Sequence, residues 1–325
     1  MEELNIGTRI AELRKKANLT QNELADKLMI SNKAVSKWES NAGAPSLEML
    51  IKLHEVLKCS LDYLVLGEDL SNPAQTYEIP LILGKDENGK EYKRDLCKLI
   101  HCLIGGEVGS GKSNLLHNII TQLISNFSKD ELKLALIDGK GIDFEPYKNI
   151  PNLFLPVANS PEDIKNTLAR VVNEINNRFD TLRALECRNK KDFEQKYPNS
   201  KLPYIIIIVD ELAEVILNKE IHGESFIDKI TKLGRPVGIY LIAATYRIKT
   251  DVLTENVSLG LPTKIAFKMK EDHEYTICLK TPDHPTVNNI GEMIISPQDS
   301  IRKHKVKCPY ISPEEIDNVI KNIKQ

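Results

Sequence analysis

The stretch Gly106-Glu107-Val108-Gly109-Ser110-Gly111-Lys112-Ser113 decides the fold of this 325-residue chain. It fits the pattern G-x-x-x-x-G-K-[ST], in which glycines let backbone N–H groups close around phosphates. The amino end of the following helix adds a favourable dipole. The pattern predicts ATP as ligand and Mg²⁺ as cofactor, with Lys112 on the β- and γ-phosphates and Ser113 on the metal. The predicted nucleotide-binding residues are Gly106, Gly109, Ser110, Gly111, Lys112, Ser113 and Asn114.

The sequence on either side of this loop supplies the context that the motif requires. The apolar run 99–104 predicts a strand that leads into the loop. A helix is predicted to begin at Ser113, because apolar residues then recur at helical spacing. These residues are Leu115, Leu116, Ile119, Ile120, Leu123 and Ile124. Strand, glycine loop and helix in this order are typical of P-loop nucleotide-binding proteins.

A second acidic motif lies farther along the chain. The run 204–209 is continuously apolar, which is typical of a buried central strand in a parallel sheet, and it ends at Asp210 and Glu211. A carboxylate at the carboxyl end of such a strand faces the nucleotide crevice. We expect Asp210 to hold Mg²⁺ and Glu211 to orient or deprotonate the attacking water. The other interpretation is a solvated acidic pair that closes a strand.

Further strands and helices alternate through the rest of the chain. Strands are predicted at 134–137, 239–244 and 264–269, and a long helix at 164–185. This alternation predicts a doubly wound α/β domain. Asn88-Gly89, near the start of this region, is a strong hairpin signal.

Residues 1–66 predict a separate bundle of short helices. Thr20 and Glu23 form a capping-box pattern that opens one helix, and only Met29 and Ile30 separate it from the next. That spacing is the short turn of a helix-turn-helix. Further helix-opening residues are Ser31, Ser46 and Ser60.

The second helix of this pair carries a polar face. Asn can bind adenine, and Lys can bind guanine or phosphate, in the major groove of DNA. The other interpretation is the solvated face of a small helical domain. The face consists of Asn32, Lys33, Ser36 and Lys37.

The amino-acid composition and a polar segment with Gly and Pro predict the domain boundaries and the class of protein. Residues 67–74 (GEDLSNPA) are polar, so we expect a helix-turn-helix domain at 1–66, a linker at 67–79 and an ATPase domain at 80–325. The net charge is only −2, so any DNA affinity must come from local basic faces. The six cysteines lack zinc-ligand spacing, and no apolar run reaches the roughly 20 residues of a membrane span. The chain is therefore expected to be cytoplasmic, with no structural metal and no membrane segment of its own.

From about residue 83 to 320 the chain resembles the motor of the FtsK/SpoIIIE DNA translocases. Five segments in matching order carry the resemblance: LGKDENGKEYKRDLCKLIHCLIGGEVGSGKS, LIDGKGIDFEPYKNIPNL, LPYIIIIVDELAEVI, LGRPVGIYLIAAT and DVLTENVSLGLPTKIAFKM. The second contains the Asp-x-Lys of that family, here Asp138 and Lys140. The resemblance implies a RecA-like ATPase that forms a hexameric ring around double-stranded DNA and pumps it.

The N-terminal segment TQNELADKLMISNKAVSKWESNAGAPSLEMLIKLHEVLKCSLDYLV resembles the Cro-type (XRE) helix-turn-helix. The resemblance implies that Gln21 contacts phosphate at the start of the first helix of the pair. It also implies dimers on half-sites about one helical turn apart. The implied DNA-binding residues are Gln21, Ser31, Asn32, Lys33, Ser36 and Lys37.

The chain departs from the translocase pattern at two positions. Tyr246 stands where the family usually has a glutamine, and Lys264 where many members have an arginine. Lysine is a weaker, non-bidentate partner for phosphate. We therefore expect the cation that acts across a subunit interface to be Lys264, Arg235 or Arg247. The sequence also lacks the membrane-spanning and C-terminal winged-helix regions of cell-division members, so the helix-turn-helix is expected to replace the latter as the loading device.

Three functions are consistent with these motifs. The first is a DNA-translocating or coupling ATPase of a plasmid or integrated mobile element, acting in conjugation with a relaxase or a membrane transfer complex. The second is an ATP-responsive transcription or replication regulator. The third is an assembly ATPase whose N-terminal helices dock a protein. DNA-stimulated turnover distinguishes the first from the others.

Overall fold

The computed structural model describes residues 6–17, 19–59, 61–66, 77–300 and 302–323. These residues divide into two units. The helical unit contains the described residues up to 66 together with 299, 300 and 302, and the α/β unit contains residues 77–298 and 303–323. Most of the predicted linker, residues 67–76, lies outside the described residues, and residues 77–79 belong to the α/β unit. Among the described residues, no helix combines the length and the apolar character needed to cross a membrane.

The helical unit contains a helix-turn-helix, as predicted. Its helices are α1 (Ile6–Lys16), α2 (Gln21–Leu28), α3 (Asn32–Glu39), α4 (Leu47–Leu57) and α5 (Leu61–Leu66). The Thr20 hydroxyl accepts from the Glu23 N–H, and Glu23 caps Thr20 in return, so the capping box forms. Met29 ends α2 in the left-handed conformation. Ser31 stands at the amino end of α3 without a side-chain cap, and Ser60 lies outside the described residues.

The core of this unit explains the apolar spacing in its sequence. Leu24 and Leu28 of α2, Val35 and Trp38 of α3, and Leu53 of α4 are buried together. Their burial supplies the apolar surface that holds such short helices in place, since helices of this length are marginal alone.

The α/β unit is built on one nine-stranded sheet. Its strands are β1 (Pro80–Asp86), β2 (Glu91–Asp95), β3 (Cys102–Gly105), β4 (Leu132–Ile137), β5 (Tyr204–Val209), β6 (Ile239–Thr245), β7 (Thr263–Phe267), β8 (Glu292–Ser296) and β9 (His304–Lys307). They lie in the order β2-β1-β9-β8-β7-β3-β6-β5-β4. The five strands from β7 to β4 are parallel, and the other four form an antiparallel extension.

Helices cover both faces of this sheet, which confirms the doubly wound α/β class. They are α6 (Leu96–Leu99), α7 (Lys112–Asn126), α8 (Pro161–Ala184), α9 (Lys190–Lys196), α10 (Leu212–Leu217), α11 (Gly223–Leu233), α12 (Glu255–Gly260), α13 (Asp272–Leu279) and α14 (Pro313–Ile323). In β5, Ile205 and Ile207 face one core, and Ile206 and Ile208 face the other. Burial on both faces accounts for the unbroken apolar run of this strand.

The predicted strand at 99–104 is wrong in its first half. Leu99 ends the short helix α6, and the strand begins only at Cys102. The cause is Asp95, whose carboxylate accepts from the Cys97 N–H at 3.0 Å and so opens a helical turn. The Asn88-Gly89 hairpin prediction is confirmed, because β1 and β2 pair antiparallel around that turn.

Candidate functional site

The glycine loop joins the end of β3 to the start of α7 at the carboxyl edge of the parallel strands. Gly109 and Gly111 have φ values of 78° and 118°, a region that side chains with a Cβ rarely adopt. A Cβ on Gly106 would lie 2.7 Å from the Ser110 Oγ. These positions require glycine, and they form a loop whose N–H groups can surround a phosphate.

Lys112 is folded against this loop. Its Nζ donates to the carbonyl oxygens of Gly106 at 2.8 Å and Glu107 at 2.9 Å. Burial lowers the pKa of Lys112, while the Glu211 and Asp210 carboxylates act in the opposite direction. The ammonium therefore stands between the loop and the two predicted acidic residues, as a phosphate-binding lysine requires.

The structure brings the two predicted metal ligands together. The Ser113 hydroxyl lies 3.4 Å from Asp210 Oδ1, although the two residues are 97 positions apart. They meet because β3 and β5 are parallel, with β6 between them, so their carboxyl ends lie at one edge. Hydroxyl and carboxylate oxygens are the ligands that Mg²⁺ prefers in proteins.

Sequence reasoning missed the role of Asp143 in this cluster. Asp138, Asp143 and Asp210 each offer a carboxylate oxygen, and these oxygens lie within 4.8 Å of one another. The Asp138 carboxylate stabilises its own loop, because it accepts hydrogen bonds from the N–H groups of Lys140, Gly141 and Phe144. No standard metal-binding spacing marks Asp143, and only the turn that Asp138 organises carries it to the site.

Crowding of carboxylates changes the protonation of Asp210. Burial, followed by the charge of Asp143, raises the pKa of Asp210 to about 7. Lys140 opposes the rise, and its Nζ lies 3.9 Å from Asp210 Oδ2. The site therefore holds more negative charge than its own lysines neutralise, which favours a divalent cation.

Replacing Asp210 by Asn is expected to raise the free energy of unfolding of the metal-free chain at pH 8. The folded-state pKa of about 7 lies above the ordinary value of 3.8, so ionisation costs stability as the pH rises between the two. The amide removes a cost of about 1–3 kcal/mol. Thermal unfolding in EDTA should give a larger gain at pH 8 than at pH 5, with Asp180→Asn on the surface of α8 as the exposed control. An equal gain at both pH values would contradict the raised pKa.

Glu211 lies deeper than its neighbour and is held by three donors. Oε1 accepts from the Ala213 N–H at 2.9 Å and from the Thr245 hydroxyl, and Oε2 accepts from the Tyr246 N–H at 3.1 Å. The carboxylate thus ties β5 to the end of β6 and caps α10. Tyr246 contributes its backbone to this site, and its ring lies 5.9 Å from the Lys140 Nζ.

The three predicted trans-acting cations lie in different surroundings. Lys264 is only 5% exposed, and its Nζ donates to the Ser258 carbonyl oxygen at 2.6 Å. The expectation that it reaches a neighbouring subunit is therefore corrected, because α12 already binds its ammonium. Arg247 is half-exposed at the carboxyl edge and pairs with Asp251. Arg235 is exposed in a short turn just before β6, at the opposite edge.

Asn114 lies beside the loop but uses its side chain elsewhere. Its Nδ2 donates to the Pro309 carbonyl oxygen at 2.7 Å, and its Oδ1 accepts from the Ile311 N–H at 2.9 Å. The amide therefore fastens a distant segment to the start of α7. Its predicted contact with the nucleotide is limited to the backbone.

The polar face of α3 is exposed, as a DNA-reading helix requires. The exposed residues are Ser31, Asn32, Lys33, Ser36 and Lys37. The Asn32 amide donates to Asn22 on α2. Gln21 is half-buried and donates to Glu39 at 2.8 Å, while Glu39 also binds Arg14. The predicted phosphate contact of Gln21 thus competes with a bond inside the unit.

Comparison with family models identifies both parts of the chain. Residues 71–250 match the FtsK/SpoIIIE family, and residues 10–64 match a helix-turn-helix family. The first match covers the glycine loop and both acidic residues. The second covers α2 and α3.

Two curated relatives carry the name DNA translocase FtsK. The protein from Leptospira interrogans is 31% identical over 255 residues, which are 76% of this chain and 27% of that protein. The protein from Chlamydia trachomatis is 30% identical over 268 residues, 79% of this chain and 34% of that protein. The chain therefore spans only about a quarter to a third of the length of these relatives.

Solved structures share the fold. The pCW3 conjugation coupling protein TcpA, in a monomer form with ATPgS, has a TM-score of 0.65 at 24% identity and covers 77% of this chain and 72% of its own. EssC ATPases 2 and 3 from Geobacillus thermodenitrificans have a TM-score of 0.66 at 18% identity, with coverage of 78% and 51%. The family match covers more than half of the residues and includes the site described above. The chain therefore belongs to the FtsK/SpoIIIE family.

Proposed function

We propose that this protein is an ATP-driven motor that moves along double-stranded DNA and is directed to that DNA by its helix-turn-helix. The observation that carries the proposal is the meeting of Ser113 and Asp210 at 3.4 Å beside Lys112, in a chain of the FtsK/SpoIIIE family. Two relatives are named DNA translocase FtsK, and they support the proposal that the motor moves along DNA.

Each residue has a part in ATP hydrolysis that follows from its position. Lys112 binds the β- and γ-phosphates, and Ser113 and Asp210 hold Mg²⁺. A metal held there would supply positive charge against the charge that develops on the phosphate oxygens. Glu211 orients the attacking water. The oxygen-only donor set and its excess negative charge fit Mg²⁺, and the buried Ser110 hydroxyl, which has no hydrogen-bond partner among the described residues, fits a further phosphate contact.

The helix-turn-helix is expected to read sequence through α3. Asn32→Ala or Lys33→Ala should relax sequence preference by about 1–3 kcal/mol where the contact is bidentate. Gln21→Ala should weaken binding to all sequences alike. Selection from a random duplex library measures this, with Lys52→Ala, a lysine of α4 paired with Glu48, as the control. A library that returns no enriched sequence would mean that this unit docks a protein instead.

The motor is proposed to act as a hexameric ring with active sites shared between subunits. In P-loop enzymes a cation from a neighbour typically contributes about 10³–10⁵ in rate. Arg235 suits this role because it lies at the sheet edge opposite its own glycine loop, where it cannot act in its own site. Arg247 is the alternative, since it is half-exposed and close to the end of β6.

A mixing experiment tests the shared site. An Arg235→Ala or Arg247→Ala chain should be inactive alone and recover partial ATPase activity when mixed with Lys112→Ala, because each supplies what the other lacks. Arg183→Ala, which removes an exposed arginine of α8, should remain active by itself. Oligomers that form but never complement would contradict the shared site.

The biological setting that fits best is cytoplasmic transfer of a mobile element. The likeness to the fold of a conjugation coupling protein favours it, and a relaxase or a membrane transfer complex would then be the partner. ATPase activity with and without long duplex DNA tests the function itself. Strong stimulation by DNA is expected. Tight ATP binding with little turnover, with or without DNA, would favour an ATP-responsive regulator.

A further inference from the structure

An exposed aromatic residue is held firmly beside the glycine loop. Tyr310 is 78% exposed, yet the residues on both sides of it are hydrogen-bonded to Asn114. Asn118, one turn farther along α7, also donates to the Pro309 carbonyl oxygen, at 2.9 Å. Three hydrogen bonds thus fix the backbone of this short segment against the start of α7, while its tyrosine ring stays exposed.

A second segment meets the loop from the same side. The Gly291 N–H donates to the Ser110 carbonyl oxygen at 3.0 Å, and the Cys308 N–H donates to the Gly291 carbonyl oxygen at 2.8 Å. Ile290, next to Gly291, is 73% exposed. The antiparallel strands β8 and β9 therefore deliver two exposed apolar side chains to one flank of the loop.

The order of the strands gives the direction in which a nucleotide must lie. Asp210 and Glu211 follow β5, which lies on one side of β3, whereas β8 and β9 lie on the other side. The γ-phosphate belongs at the carboxylates. The nucleoside, at the other end of the molecule, must then point toward the flank that carries Ile290 and Tyr310.

We propose that Tyr310, with Ile290 beside it, is the platform on which the adenine ring of ATP stacks. Adenine is flat and aromatic, and stacking on a tyrosine ring removes the two facing surfaces from water. The bonds from Asn114 and Asn118 order the platform before the nucleotide arrives, so less entropy is lost on binding. This inference rests on the proposed binding of ATP at the glycine loop.

Binding of two probes separates the base from the phosphates. Calorimetry with Mg²⁺ compares ATP with inorganic tripolyphosphate, which has the same phosphates and no base. Tyr310→Ala should weaken ATP binding about tenfold and leave tripolyphosphate binding unchanged, as expected for loss of one base–aromatic stack. Tyr310→Phe keeps the ring and should bind ATP like the original protein. Tyr197→Ala, which removes an exposed tyrosine at the end of α9, is the matched control.

Two results would overturn the platform. In the first, Tyr310→Ala binds ATP as tightly as the original protein, which would assign the exposed ring to another surface, such as contact with a second copy. In the second, Tyr310→Ala loses ATP and tripolyphosphate by the same factor, which would mean that the ring supports the loop itself. An original protein that binds neither probe would instead overturn the proposed function.

Discussion

Lys112→Ala should lower the rate of ATP hydrolysis by about 10²–10³-fold or more, which is the typical effect of removing a preorganised donor from developing charge. The ammonium stands 2.8 and 2.9 Å from two carbonyl oxygens of the loop, at the point where the β- and γ-phosphates would bind. Alanine removes both the charge and its position. Steady-state phosphate release, with and without DNA, measures the loss.

A second lysine serves as the control for Lys112. Lys191 is exposed and pairs with Glu78, which is bound by Tyr204 at the amino end of β5. Lys191→Ala should therefore keep its activity. Turnover like that of the original protein in a pure Lys112→Ala preparation would end the assignment of the loop as the ATP site.

Glu211→Gln should bind ATP but lose hydrolysis, by a factor of about 10²–10⁴ that is typical of a general base. The amide keeps the shape of the side chain but cannot take a proton from water. Its nitrogen would also face the Tyr246 N–H, which now donates to Oε2, so a modest loss of stability is expected. ATP affinity by calorimetry and single-turnover hydrolysis together measure the effect.

The hydrogen bonds of Glu211 define the competing outcome. A carboxylate that binds Ala213, Thr245 and Tyr246 could serve mainly to hold β5, β6 and α10 together. In that case Glu211→Gln would lose binding and turnover to the same extent, along with thermal stability. Asp180→Asn, in an exposed pair with Arg183 on α8, is the carboxylate control.

Much of the parallel sheet could be predicted from the sequence. The bounds of β5 agree with the predicted strand, because its five isoleucine and valine residues are buried on alternating faces and β-branched residues favour a strand. The glycine loop could also be predicted from the sequence. The positive φ values at Gly109 and Gly111 require glycine, and these glycines are part of the motif.

The antiparallel extension and its contacts could not be predicted. Strand β9 is four residues long and has a single apolar residue, Val306, so it lacks the apolar alternation that marks a strand. The bond between Asn114 and Pro309 joins residues 195 positions apart, and no local pattern records it. The burial of Lys264 could not be predicted either. Its partner is the backbone oxygen of Ser258, and every residue has such an oxygen, so the sequence does not mark it.

Displacement of a third strand from duplex DNA tests the central claim most directly. A motor that moves along the duplex must strip a triplex-forming oligonucleotide placed far from the loading site, in an ATP-dependent way. The account predicts rapid displacement by the original protein and none by Glu211→Gln bound to the same DNA. ATP hydrolysis that DNA stimulates, with the third strand left in place throughout, would contradict translocation.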